Sequence, residues 1–414
     1  MKNHFADTGF FVFLTNLKTM KRLIFLAIIL TGCSTMLPLQ RSGLITAFHL
    51  IEDEEYAEAK AFIENMVEDE EAAGWPRTWH ARGLLYQNAY REGKQRNNRN
   101  LYEMKDRQLF VVYESYEKAL ALDAGSRIRN QLAPRYVLLA NDIQAMGEQN
   151  FAEGHYDEAL KAFETVEQIR QGDLLNLDTD TTLVYNMALA AIEGGQREKA
   201  IRYLHRLDEY RYGTNVSHLL SEEYLQQGDT LQAGSVLQQG IEKYDDNEDL
   251  VLLLADIHFS MGLVEESLDM LDSKSEVYPS NHKFPYTKGL ILQKTGNYGE
   301  AIAAYEESLE LEPEKPMTYV HIATCYYNIG IEIEERARTI NRSAQVQDKR
   351  ERSTAALESA TIWLNKALEL EKQDPEALAT IRELSALLDI TERVESVNDE
   401  PLENDELNEE SDAQ

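Results

Sequence analysis

A chain of 414 residues is long enough for two ordinary domains or one extended repeat array. Its formal net charge of −32 excludes nucleic acid as a ligand, because the phosphates would be repelled, and two cysteines, Cys33 and Cys325, exclude a disulfide framework. Hydrophobic residues at 43 %, abundant Glu, Ala, Leu and Tyr, and only 9 prolines predict an all-α protein with a real core.

The chain opens on a targeting signal. In Met20–Cys33, Lys21 and Arg22 precede the apolar run Leu23–Leu30, which is too short for a permanent membrane span and has the shape of a secretory signal. Leu30-Thr31-Gly32-Cys33 resembles the bacterial lipobox. That resemblance implies cleavage before Cys33 and acylation of its thiol with palmitate-type chains, two or three of which anchor a protein stably. By the same resemblance Ser34, where an Asp would retain the protein in the inner membrane, implies the outer membrane, with the chain facing the periplasm. Residues 1–19 do not fit this pattern, so Met20 is the expected start. Residues 1–33 are thus read as signal peptide and 34–43 as a tether.

Helix pairs fill the span 44–388. The first is Leu44–Val67, with Tyr56, Ala59, Ile63 and Met66 on one face. The second opens on Trp79, Gly83 and Tyr86 and returns over Val112–Leu122; an insertion, 91–107, lies between. Further pairs follow at Pro134–Ile169, Asp178–Leu207, Asn215–Tyr244, Asn247–Lys274, Asn281–Pro313 and Met317–Leu370. The last contains a second insertion, 331–357, whose Arg, Glu and Ala content predicts a long helical hairpin. Pro375–Leu388 is an amphipathic helix placed to cap the array. Both insertions are basic; 91–107 is a solvated loop or elongated helix pair balancing nearby acids, or a docking loop for an acidic partner or a lipid headgroup. Residues 389–414 hold eleven acids and one Arg, which reads as a disordered tail free to fold back on either insertion.

The pairs share one pattern, complete in Asn281–Pro313. Gly289 and Ala301 are small enough for two helices to approach, Tyr305 and Leu309 fill the gap beside them, and Gly296 stops the first helix. Equivalents of Ala301 recur at Ala59, Val112, Ala159, Ala200, Ala233, Ser267 and Ala360, with Ala200, Ala233, Ser267 and Ala301 spaced by 33, 34 and 34 residues. This ladder resembles the tetratricopeptide repeat (TPR), and Trp79, Gly83 and Tyr86 match its W-x2-L-G-x2-Y signature with Arg82 in place of Leu. The resemblance implies a right-handed superhelical solenoid of about eight antiparallel helix pairs, whose first helices line an inner, protein-binding wall.

In the family's phase, that wall includes Tyr185, Ile192, His218, Leu252, Phe259, Tyr286, Leu290 and Tyr327, with Leu189, Glu222, Leu225, Asp256, Gln293 and Thr324 beside them. Its Tyr, His, Leu and acidic residues stand where the family's carboxylate clamp needs Lys, Arg and Asn. The expected partner is therefore a basic or amphipathic helical segment, bound with the large, stiff contact area that Tyr provides. Chemistry finds no footing. Asp178, Asp180 and Thr182 mimic a phosphatase motif but sit between helices, where a helix N-cap is the better reading. Asp245, Asn247 and Asp249 mimic a calcium loop but lack its Gly and its final Glu, and so read as a turn and a cap. The scattered histidines form no H-x3-H or H-E-x2-H pair, so neither metal nor cofactor is expected. The expected function is a non-catalytic scaffold lipoprotein of an envelope assembly or secretion complex. The alternative is a glycan or peptidoglycan binder using Trp75, Trp79, Asn97, Asn98 and Asn100.

Overall fold

The computed structural model describes residues 36–245, 247–339, 343–370 and 375–388. The lipobox with Cys33, the residues before it and the acidic tail lie outside the described residues. Among the described residues the chain is all-α, with eighteen helices and no strand. The expected array of antiparallel helix pairs is what forms.

The chain divides into two compact units, Met1–Ala200 and Ile201–Gln414. The first holds α1 (Met36–Glu52), α2 (Tyr56–Glu68), α3 (Pro76–Gln95), the short α4 (Arg99–Tyr102), α5 (Gln108–Leu122), α6 (Arg129–Ala152), α7 (Tyr156–Gln171) and α8 (Thr181–Glu193). The boundary falls within α9 (Arg197–Glu209). The second unit continues with α10 (Thr214–Gln226), α11 (Thr230–Lys243), α12 (Glu248–Ser260), α13 (Val264–Val277), α14 (Lys283–Lys294), α15 (Tyr298–Leu311), α16 (Pro316–Arg338), α17 (Ser343–Leu370) and α18 (Pro375–Leu387).

The small-residue ladder is the spine of each unit. Ala59, Val112, Ala159, Ala200, Ala233, Ser267, Ala301 and Ala360 are each 0 % exposed. Where the ladder carries a hydroxyl, the polar group is satisfied: Ser267 donates to the Ala255 carbonyl at 2.8 Å. Opposite the ladder, a glycine lets an aromatic ring pack onto the neighbouring backbone. A Cβ on Gly289 would lie 2.6 Å from ring carbons of Tyr305, and one on Gly83 would lie 2.2 Å from the ring of Tyr116. Between paired helices the turn needs a left-handed residue, and Gly154, Gly228, Gly262 and Gly296 take φ of 79°, 78°, 79° and 81° there.

Three boundaries differ from expectation. The tether read at 34–43 is helical from Met36, as α1 carries Leu44, Ala47 and Ile51 into the core and extends backward from them. The third pair begins at Arg129 rather than Pro134, which lies in the second turn of α6. The missing N–H of Pro134 costs one helical bond, and burial of Leu132 and Tyr136 on either side offsets it. Asn247 precedes α12 without capping it; its amide donates backward to the Ile241 and Tyr244 carbonyls at 2.8 and 2.7 Å. Asp180, in contrast, caps α8 as expected, accepting from Thr182 N and Leu183 N at 3.0 and 3.2 Å.

The departure of Arg82 from the repeat signature has a structural answer. Arg82 Nε donates to Glu64 at 3.1 Å, its Nη1 reaches Ser115 Oγ at 3.1 Å, and its guanidinium lies over the rings of Trp79 and Tyr86. Tyr86 donates to the same carboxylate at 2.6 Å and Lys105 stands 3.5 Å from it. Burial works against the Glu64 charge, but the hydrogen bonds from Tyr86 and Arg82 and the nearby cations hold its carboxyl below the usual range. Its stabilising contribution is therefore present above the unfolded carboxyl value and is lost as pH falls through the folded one. Glu64→Gln is expected to cost about 2 kcal/mol at neutral pH, read as a lower urea midpoint at unchanged slope. An unchanged midpoint would show that the cluster is ornamental.

Candidate protein-binding faces

In the second unit, successive first helices touch: α10 meets α12, and α12 meets α14. This is the side on which the sequence places its binding wall. His218 on α10, Leu252 and Phe259 on α12, Tyr286 and Leu290 on α14, and Tyr327 on α16 are all half-buried. In the first unit, Tyr185 and Ile192 on α8 are also half-buried. None is a core residue and none projects fully.

Their individual environments divide them. Tyr286 is held from several sides. Its hydroxyl lies 3.1 Å from His321 Nε2, and its ring packs against Tyr305 at 5.8 Å and His321 at 5.7 Å. Burial raises its hydroxyl pKa. Leu290 packs with it on the cluster around Leu292, Tyr305 and Ile322. Leu252 and Phe259 lean on Val251, Ala255 and Phe284, and Lys294 Nζ sits 5.3 Å from the Phe259 ring centroid. Tyr327 rests on the Val320, Ala323 and Leu364 cluster. The open positions between them are His218, which faces Glu222 at 3.3 Å, and the exposed Glu222, Leu225 and Asp256, with Leu225 at 42 %. Among these positions the exposed side chains are the apolar Leu225 and the acids Glu222 and Asp256.

A second recess lies in the first unit, between first helices α3 and α6. It has a volume of about 340 Å³ and is lined by Tyr90, Arg91, Lys94, Asp142, Met146 and Gln149. Arg91 crosses it to Asp142 at 3.0 Å, and burial pushes the Asp142 carboxyl upward against that pull. The sequence is consistent with a loop or an elongated helix pair for this insertion; α3 runs on to Gln95 and sets Arg91 on a helix.

Of the residues nominated for a sugar platform, Trp79 and Asn98 are engaged within the fold, Trp75 is half-buried, and Asn97 and Asn100 are exposed. Trp79 Nε1 donates to the Ala73 carbonyl at 2.8 Å, Trp75 sits at the start of α3, and Asn98 accepts from Asn100 N to cap α4. Cys325 is a buried thiol, pushed up to about 12 by burial. Among the described residues no group of three or more His, Cys, Asp or Glu side chains could hold a metal ion, and no helix is long and apolar enough to cross a membrane.

Tetratricopeptide repeat models match residues 183–211, 224–281 and 286–315. The chain is 19 % identical over 188 residues to the BBSome complex member BBS4 of Bos taurus, a match covering 45 % of this chain and 35 % of that protein. The chain therefore spans about a third of the length of the curated relative it matches. A tetratricopeptide repeat protein from Parabacteroides merdae superposes with a TM-score of 0.38 at 15 % identity, over 60 % of this chain and 98 % of that one. MamA from Desulfovibrio magneticus superposes with a TM-score of 0.34 at 15 % identity, over 47 % of this chain and 97 % of that one.

Proposed function

We propose that this tetratricopeptide repeat protein is a non-catalytic scaffold that holds a protein segment along the first helices of its second unit. The observation that carries the reading is the strip on α10 and α12. There Glu222, Leu225 and Asp256 are exposed beside the half-buried His218, Leu252 and Phe259. An apolar strip with an acidic edge suits an amphipathic helix or extended segment bearing basic residues, whose apolar side would cover Leu225 while its cations face Glu222 and Asp256. The lipobox adds a second part to the proposal: acylation at Cys33 anchors the scaffold in the outer membrane, facing the periplasm, within an envelope assembly or secretion complex.

The test is a crosslinking pull-down from intact envelope, using the acylated protein, a Cys33→Ala variant and a Leu225→Glu variant. Leu225 is preferred to Tyr286 as the probe because Tyr286 packs into the fold and its loss would confuse binding with stability. Recovery of one stoichiometric envelope complex is expected, abolished by Leu225→Glu with the far-ultraviolet circular dichroism unchanged. Cys33→Ala should move the protein out of the membrane fraction. Failure to recover a protein partner, combined with retention on purified cell-wall material, would replace this reading with the glycan-binding one.

A further inference from the structure

Two segments gather cations in a chain whose formal net charge is −32, and the fold treats them differently. The cations of 91–107 are occupied. Arg91 pairs with Asp142, Arg96 with Glu54 and Glu92, Arg99 with Glu103, and Lys105 with Glu64. Lys94 lies over the rings of Tyr90 and Tyr102, and Arg107 over Phe110. That insertion is a balancing surface, and it offers little to an outside anion.

The far end of the α16–α17 hairpin is the opposite case. Among the described residues of its two arms, 336–339 and 343–352, stand five cations, Arg336, Arg338, Lys349, Arg350 and Arg352, against two acids, Asp348 and Glu351. Arg336 and Arg338, with side chains 70 % and 71 % exposed, reach only Glu332 and Glu334 one turn back on their own helix. Lys349, Arg350 and Arg352 make no ion pair with a described side chain, and Arg350 and Arg352 are exposed. Like charges gathered this closely repel one another, and an anion laid across them relieves the repulsion.

The chain supplies such an anion next door. Residues 389–414 hold eleven Asp and Glu against one Arg. They follow α18, which packs through Ile381 and Leu384 against Leu364 and Ala367 of α17, and Leu388, the last described residue before them, rests on this same cluster at the base of the hairpin. From Leu364 to Arg350 the distance along α17 is about 21 Å at 1.5 Å per residue. The acidic segment could extend to about 85 Å. Tethering also gives it an effective concentration in the millimolar range, which an outside anion must exceed.

We propose that the acidic segment 389–414 docks on the basic end of the α16–α17 hairpin of its own molecule. The hairpin cations are then covered by default, and any acidic partner must displace the tail to reach them. The contact is electrostatic, so it weakens as salt shortens the reach of the charges.

The test is zero-length carbodiimide coupling of the full acylated chain in detergent, read by mass spectrometry. Lys349 reports on the contact, since its amine joins to a carboxylate only when the two touch. Amide links between Lys349 and residues 389–414 are expected at low salt. Their yield should fall at least fivefold in 0.5 M sodium chloride, and by a similar factor in the Arg350→Gln/Arg352→Gln variant, which removes exposed side chains and leaves Lys349 in place. In an equal mixture of ¹⁴N- and ¹⁵N-labelled protein, the links should stay within one isotope. Links spread evenly over all exposed lysines, links unchanged by the double substitution, or links between isotopes would each overturn the proposal. So would binding of phosphatidylglycerol vesicles through the hairpin that is equally strong with and without residues 389–414, since the cations would then serve a lipid surface.

Discussion

Tyr305→Ala is expected to cost the second unit about 3–5 kcal/mol, the range for emptying a buried aromatic site, and to turn Gly289→Ala from a harmful substitution into a helpful one. Tyr305 is fully buried, donates to Gln293 Oε1 at 2.6 Å, and stacks on His321 at a centroid distance of 5.3 Å. Its ring occupies the space that a Cβ on Gly289 would enter, at 2.6 Å. Alone, Gly289→Ala sets a helix-propensity gain of about 0.5–1 kcal/mol against an overpacking cost of about 1–3 kcal/mol. The ring is pinned by its neighbours, so overpacking wins. With Tyr305 reduced to Ala the obstruction is gone and only the propensity gain remains. Hydrogen exchange of the α14 and α15 amides in the two single variants and the double variant gives the coupling directly. A neutral Gly289→Ala in the parent chain would sink the argument, and with it the same expectation for Gly83 facing Tyr116.

That pair also shows why so much of the fold could be read from one sequence. Where two helices cross at a fixed register, the crossing demands small residues, and the demand falls on single positions. All eight ladder residues, Ala59 through Ala360, are fully buried, insertions notwithstanding. The wall was less legible, because its character depends on side chains from the next pair. The pattern gives Tyr286 as a wall residue, and only the placement of His321, 35 residues on, reveals that its hydroxyl is already engaged. Arg82 was visible only as an exception, since Glu64 and Ser115 come from helices on either side of it. The two basic insertions look alike in composition. They differ in whether Glu54, Glu64 and Asp142 happen to be folded against them, which no local pattern encodes.

Each unit also contains a histidine set into its packing, His80 buried and His321 half-buried, and mild acid is expected to find both. His321 lies between Tyr286 and Tyr305 with Cys325 one turn on, and burial lowers its pKa from 6.5 to about 4. His80, beside Phe48 and Tyr116, is lowered to about 4 by burial and by the cations Arg135 and Arg77. The sign follows from proton binding. Between pH 6.5 and 4 the unfolded chain holds a proton at each site that the folded chain does not, so stability falls as pH falls through that window. It is fully present above about pH 6.5 and lost by about pH 4. A shift of this size corresponds to about 3 kcal/mol for each site. His321→Phe keeps a ring against Tyr305 but cannot take the proton. Its urea midpoint should therefore decline less between pH 6.5 and pH 4 than that of the parent chain, even where its midpoint at pH 7 is lower for want of the Tyr286 contact. The comparison rests on the slope with pH and not on the absolute stability, so the cost of losing that hydrogen bond does not blur it. Parallel curves for the two proteins across the window would mean that His321 is charged in the fold, and that the cluster around Tyr305 admits water where the packing says it does not.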